Sequence, residues 1–118
     1  MPVIKLTTVI NAPIAIAFNL SRSIDLHKIS TAHTNEEAIA GVTSGLISMG
    51  ESVTWRARHL GITQKLTSKI SAYNFPYYFI DEMVAGPFKS FKHEHIFKEE
   101  NGIVIMTDVF CYKARLDF

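Results

Sequence analysis

The stretch "SVTWRARHLGITQKLTSKI", Ser52 to Ile70, alternates apolar and polar residues on both sides of Leu60-Gly61. A two-residue turn containing glycine fixes the register of an antiparallel hairpin, so Trp55 falls opposite Leu66. One face then collects Val53, Trp55, Ala57, His59, Ile62, Leu66 and Ile70, and reads as the interior. The other collects Thr54, Arg56, Arg58, Thr63, Lys65, Thr67 and Lys69. That face is basic, but no aromatic residue interleaves with its charges and the net charge of the chain is only +1. It reads as the solvated side of a sheet, with no nucleic acid expected.

The same alternation extends in both directions. Lys89 to Phe97 and Ile103 to Tyr112 flank Glu99-Glu100-Asn101-Gly102, and Asn-Gly is a strong hairpin signal. A loop of two or four residues puts Phe91, His93, His95 and Phe97 on one face with Val104, Met106, Asp108, Phe110 and Tyr112. A two-residue loop sets His95 directly opposite Asp108. Ile103, Ile105, Val109 and Cys111 make the other face of the last strand apolar too, so an odd loop or a bulge reverses the assignment. Further strands are expected near 36–40 and 77–84, with the others near 51–59, 62–71, 89–98 and 103–112. Val3 to Ile10 is a β-branched run that reads as the first strand. Between it and the meander, Asn11 is expected to cap a helix that tolerates Pro13 in its first turn and carries Ile14, Ala17 and Phe18. Ser23 is expected to cap a second short turn carrying Leu26 and Ile29. The fold class is therefore α+β, with about seven antiparallel strands and two short helices after the first strand.

A chain of 118 residues is expected to form a single domain, residues 1–118. Its lone cysteine, Cys111, cannot form an internal disulfide, and "MPVIKLTTVINAP" lacks the pattern of a signal peptide, so a soluble cytoplasmic protein is expected. Charged residues interrupt every apolar run before it reaches the roughly 20 residues that span a bilayer.

The order of strand, two short helices and meander resembles the helix-grip fold of the START-like superfamily, also called SRPBCC, whose members include lipid carriers and polyketide cyclases. The stretch from Ser52 to Ile70 is similar to that family's central hairpin. "YFIDEMVAGPFKSFKHEHIF" is similar to its F-x-D-x-M, G-P-F and H-x-H-x-F strand pair, and "MTDVFCY" to its D-x-V/F-x-Y strand. The family's last strand is normally followed by a long amphipathic helix that fills the grip of the sheet. After Tyr112 the residues "KARLDF" are too few to form one, so relative to the family the chain is expected to be truncated, with that helix absent.

Position by position, the resemblance implies that a cavity is lined by Trp55, His59, Phe79, Asp81, Met83, Phe91, His93, His95, Phe97, Met106, Asp108 and Phe110. Apolar walls of this kind bury the body of a small ligand while a few polar groups orient it. His93 and His95 lie on one side of a strand, about 7 Å apart, near enough to share a metal ion. No further ligands are evident, so neither metal nor cofactor is expected. His95 with Asp108 could serve general acid/base chemistry, making His93, His95 and Asp108 the catalytic candidates, although no activated nucleophile accompanies them. The glycines of Gly41 to Gly50 lack the Gly-Lys-Ser/Thr ending and following helix of a phosphate loop. Leu46, Ile47 and Met49 suit the rim of a pocket instead. Three functions follow: binding or transport of a small hydrophobic or amphipathic ligand, a cyclase- or hydratase-type enzyme, and an interaction module. The uncovered sheet face is expected to favour a homo-oligomer.

Overall fold

The computed structural model describes residues 2–31, 35–59 and 61–115, with His59 described through its backbone only. Its elements are β1 (Val3–Ile10), α1 (Ile14–Ser21), α2 (Ile24–Ser30), β2 (Glu37–Gly41), β3 (Ser52–His59), β4 (Ile62–Asn74), β5 (Tyr78–Ala85), β6 (Ser90–Glu100) and β7 (Ile103–Lys113). The seven strands form one open antiparallel sheet in the order β1-β7-β6-β5-β4-β3-β2.

Consecutive strands β1 and β2 lie at opposite edges of this sheet, so the segment joining them must traverse one face. The two helices are that traverse, α1 lying over β6 and α2 reaching β2. They cover part of the concave side and leave a cavity beneath their junction. Ala17 and Phe18 anchor α1, as the period predicts, and both are buried. The Phe18 ring sits among Tyr73, Phe75, Phe79 and Phe97, with centroids 5.1–5.4 Å away. Three of those contacts are edge-on, the arrangement that ring quadrupoles favour.

Helix α1 starts differently from the sequence expectation. Pro13, not Asn11, occupies the cap position: its extended backbone ends the preceding loop, and its carbonyl accepts from the Ile16 and Ala17 amides at 3.0 Å. Proline has no side-chain acceptor, so this helix has no side-chain cap. Ser23 does cap α2, its Oγ accepting from the Leu26 amide at 3.1 Å. Ile24 supplies the buried apolar contact there, while Leu26 and Ile29 are exposed.

Trp55 pairs with Leu66 as the expected two-residue turn requires, and His59 pairs with Ile62 to close the hairpin. Its tip is less covered than expected: Ile62 is exposed, whereas Val53, Trp55 and Ile70 are buried. The second hairpin turns on Asn101-Gly102 alone, both with positive φ (49° and 81°), and Glu100 pairs with Ile103. That even loop puts Phe91, His93, His95 and Phe97 on the concave side with Val104, Met106, Asp108 and Phe110.

Bulges bend the sheet. On β4, Ile70 pairs with Asp81 and Ala72 with Ile80, which leaves Ser71 as an extra residue. Strict alternation would turn Tyr73 away from Ile70; the extra residue turns it back, opposite Phe79 and against Phe18. This keeps β4 in the sheet through Asn74, past the expected end near residue 71. At the other edge, Gly41 has φ 73°, and a Cβ there would run into the Ser52 carbonyl. Only glycine fits that close approach.

Candidate functional site

Beneath the junction of α1 and α2 lies a cavity of about 160 Å³. Ile24, Ile47, Val53, Trp55, Ile70 and Phe79 form its apolar wall; Arg22, Ser68, Asp81, His93 and His95 are among its polar members. Ile47 is carried there by the loop after β2, which is tied to the helix junction. Ile47 donates its amide to the Arg22 carbonyl at 3.1 Å, Ile24 donates to the Gly45 carbonyl at 2.9 Å, and the Asp25 carboxylate accepts from the Gly45 amide at 2.8 Å. The rim role expected of this loop falls to Ile47, since Leu46 and Met49 are exposed.

The polar end of the cavity is a four-residue cluster built by three strands. Register puts His95 opposite both Asp108 on β7 and Phe79 on β5, and His93 opposite Asp81 and Phe110. Asp108 Oδ1 lies 3.0 Å from His93 Nε2 and 3.2 Å from His95 Nδ1. Asp81 Oδ2 lies 2.7 Å from His95 Nε2 and 4.0 Å from His93 Nδ1. The His95 ring is stacked between Phe79, with centroids 4.1 Å apart, and His93, at 3.8 Å, and is only 8% exposed.

Both ring nitrogens of His95 therefore face carboxylate oxygens, and only the imidazolium donates from both. Burial is the largest influence on His95 and pulls it toward the neutral form. The hydrogen bonds to Asp108 and Asp81, with the charges of both carboxylates, outweigh it, and the net shift is upward. Asp108 is held well below the ordinary carboxylate range, first by its hydrogen bonds to His93 and His95. Such a cluster can exchange protons with a bound molecule, and Asp81, His93 and His95 each present a donor atom able to hold a cation.

Of the twelve positions expected to line a cavity, Trp55, Phe79, Asp81, His93 and His95 do so here. Asp108 and Met106 line an adjoining opening of about 360 Å³ together with Leu20 and His95. The other positions fall elsewhere. Phe97 is buried in the packing under Phe18, and Met83 lies one row along the sheet, opposite Ser68. Phe91 and Phe110 join Phe88 and Tyr112 in an aromatic group beyond the cavity. Phe91, Phe110 and Tyr112 project from the same sheet face as the cavity residues, but the helix junction does not reach over them. The His59 side chain lies outside the described residues.

Arg22, Ile24 and His27 were not among the expected lining residues, and Ile47 was expected only at the rim. They come from the helix junction and the loop above the sheet, and no alternation along a strand reveals them. Arg22 donates to the Ile47 carbonyl at 3.0 Å, to Ser48 Oγ at 3.2 Å and to Asn19 Oδ1 at 2.9 Å, tying the junction to the loop. A larger groove of about 610 Å³, lined by Asn35, Glu36, Glu37, Arg56, Arg58 and Thr63, lies at the β2–β3 edge. The described residues lining it are all polar or charged, and Arg56 there pairs with Glu37 at 3.1 Å, so it is a solvated charged surface.

Solved structures share this architecture. The Thermus thermophilus protein TTHA0849 superposes with a TM-score of 0.71 over 98% of this chain and 76% of its own, at 14% identity. The major latex-like protein 151 of Panax ginseng gives 0.68 over 98% and 80%, at 16% identity. Ara h 8.0201 gives 0.71 over 99% and 80%, at 13% identity. No family model and no curated protein matches the chain in sequence.

Proposed function

From the premise that the chain has the START-like helix-grip fold, we propose that it binds a small hydrophobic or amphipathic molecule in the concavity between sheet and helices. The observation that carries this reading is the cavity with an apolar wall centred on Trp55, Ile70 and Phe79 and one polar end. Its volume of about 160 Å³ is comparable to an apolar cavity of about 150 Å³ that accepts benzene. The ligand's ring or short chain packs on Trp55 and Phe79, and its polar group faces Asp81 and His93. Transport follows from burial, which keeps an apolar molecule out of water. The lone Cys111 supports a reducing compartment, the cytoplasm. Among the described residues no helix is long and apolar enough to cross a membrane.

Trp55 is the sole tryptophan and lines the cavity, which makes it a direct reporter. Binding of a single-ring probe, 4-nitrophenol, whose absorption overlaps tryptophan emission, should quench it. Ser68→Leu, which adds a side chain to the cavity, should weaken that binding by about tenfold or more, the scale of a few lost apolar contacts. Equal affinity in both proteins counts against the site. Native mass spectrometry of freshly purified protein then identifies any molecule that travels with it.

A second reading rests on His95 held between two carboxylates. In a cyclase or hydratase acting on a carbonyl compound, the imidazolium donates a proton and the Asp81–His95 pair takes it back. His95→Gln separates the readings: a carrier keeps most of its ligand affinity, whereas an enzyme loses turnover with little change in binding. A homo-oligomer through the exposed concave side of β1 is part of the same proposal, supported by Ile4 and Leu6, 50% and 61% exposed on that side.

A further inference from the structure

Two imidazoles and a carboxylate converge at the polar end of the cavity, and a second carboxylate stands behind the imidazoles. Asp108 Oδ1 lies within 3.2 Å of the outward nitrogens, His93 Nε2 and His95 Nδ1. Once those N–H groups donate to Asp108, the remaining nitrogens, His93 Nδ1 and His95 Nε2, carry lone pairs turned toward Asp81 Oδ2. This is the arrangement by which an outer carboxylate fixes the tautomer and orientation of metal-binding histidines. One donor atom from each of Asp81, His93 and His95 lies within 4.8 Å of the others. An ion bonded at about 2.0–2.2 Å needs its donors about 3.0–3.5 Å apart. The Asp81 Oδ2 separations of 2.7 and 4.0 Å differ from that by no more than about 1 Å, and the His93 and His95 rings, stacked 3.8 Å apart, must turn out of their stack for both in-plane lone pairs to meet one ion.

We infer that Asp81, His93 and His95 form a mononuclear site for a divalent first-row transition-metal ion, with Asp108 as the outer carboxylate that orients both histidines. A donor set of two imidazoles and one carboxylate selects zinc, iron(II), cobalt(II) or nickel(II) over magnesium and calcium. The ion displaces the proton between His95 Nε2 and Asp81 Oδ2 and releases it to solvent. Asp81, His93 and His95 line the same cavity as Trp55, Ile70 and Phe79, so a water or an oxygen of a molecule bound there would complete the shell. Sequence reading expects no metal because the His-x-His spacing is common and no third ligand is evident beside it. The third donor comes from β5, and the fold alone aligns it. The site stands independently of ligand carriage, which a metal-free protein would also perform.

Full-length protein stripped with a chelator and dialysed is titrated with zinc chloride by calorimetry and with cobalt(II) by visible absorption. One equivalent of zinc should bind with a Kd tighter than about 10 µM, and cobalt(II) should develop the intense visible bands of a site with few ligands. Asp81→Asn and His93→Ala should each weaken binding at least about 100-fold, beyond the 10–100-fold expected of the outer-carboxylate variant Asp108→Asn. Cys111→Ser should bind as the wild type does, and zinc should raise the melting temperature of both. Absence of saturable zinc binding by the wild-type protein overturns the proposal, whatever the variants do. So does binding that survives Asp81→Asn and His93→Ala in variants whose circular dichroism is native. Binding of 4-nitrophenol by the stripped protein keeps this result separate from the ligand-binding reading.

Discussion

Burial by itself drives an imidazole neutral, yet His95 is pushed upward because its two nitrogens meet Asp81 and Asp108. Asp108 is pushed the other way by the same contacts. A proton that His95 binds more tightly when folded stabilises the protein fully below about pH 6.5, and that contribution is lost as pH rises through the raised value. The depressed Asp108 contributes fully above about pH 4 and loses its contribution as pH falls through its lowered value. Melting temperature should therefore be highest between about pH 4 and 6.5 and decline on both sides. Asp108→Asn should flatten the acid limb; a melting temperature that keeps rising to pH 9 would contradict the assignment. Part of this cluster is legible in the sequence: the Asn101-Gly102 turn permits counting from His95 to Asp108. Asp81 cannot be aligned the same way. The β5–β6 connection is longer than a tight hairpin, and β5 carries an extra residue at Val84 where Ser68 pairs with Met83 and Thr67 with Ala85.

Among the elements, the short helices depend most on tertiary contacts, because eight and seven residues are too few to be stable alone. Phe18 carries that dependence for α1. Phe18→Ala removes the ring around which Tyr73, Phe75, Phe79 and Phe97 gather, and should cost about 3–5 kcal/mol in chemical denaturation. The loss should be accompanied by weaker binding of 4-nitrophenol, since the junction that roofs the cavity moves with α1. A cost under about 1 kcal/mol would mean that the helix is held elsewhere. Strands and helices were readable from the sequence because their periods differ, and both tight turns announce themselves by glycine. The bulge at Ser71 was not, since nothing in "KISAYN" marks which residue goes unpaired. It surfaces only when β5 demands that both Ile70 and Tyr73 face the same way. Asn11 misled for a related reason: a good capping residue two positions early loses to the backbone of Pro13.

For the whole molecule, the concave side is covered unevenly. Over β3–β6 it is roofed by the helices and their loop; toward β1 and β7 the side chains of Ile4 and Leu6 are open to water beside Phe110 and Tyr112. On the opposite side of β1, Val3 and Val9 are also exposed, and Lys5 is the strand's lone charge. Edge strands this apolar promote pairing with another chain. Sedimentation velocity over a hundredfold concentration range should show reversible self-association, which Leu6→Lys should suppress; an invariant monomer would remove the basis for a homo-oligomer. The sequence reading anticipated an uncovered face but not its position, because which strands lie beneath the helices depends on where β1 docks.

The pairing of β1 with β7 sets a timetable. Val3 meets Cys111 and Ile10 meets Val104, so β1 acquires its sheet neighbour on the ribosome only after β2 through β6 have emerged. Throughout that interval Val3, Ile4, Leu6 and Val9 have no ladder to join. The meander from β2 to β6 can zip locally in the meantime, and the arrival of β7 joins the two edges of the sequence order in a single long-range step. Completion of the sheet thus waits on the synthesis of β7, and nascent β1 is the segment most in need of protection until then.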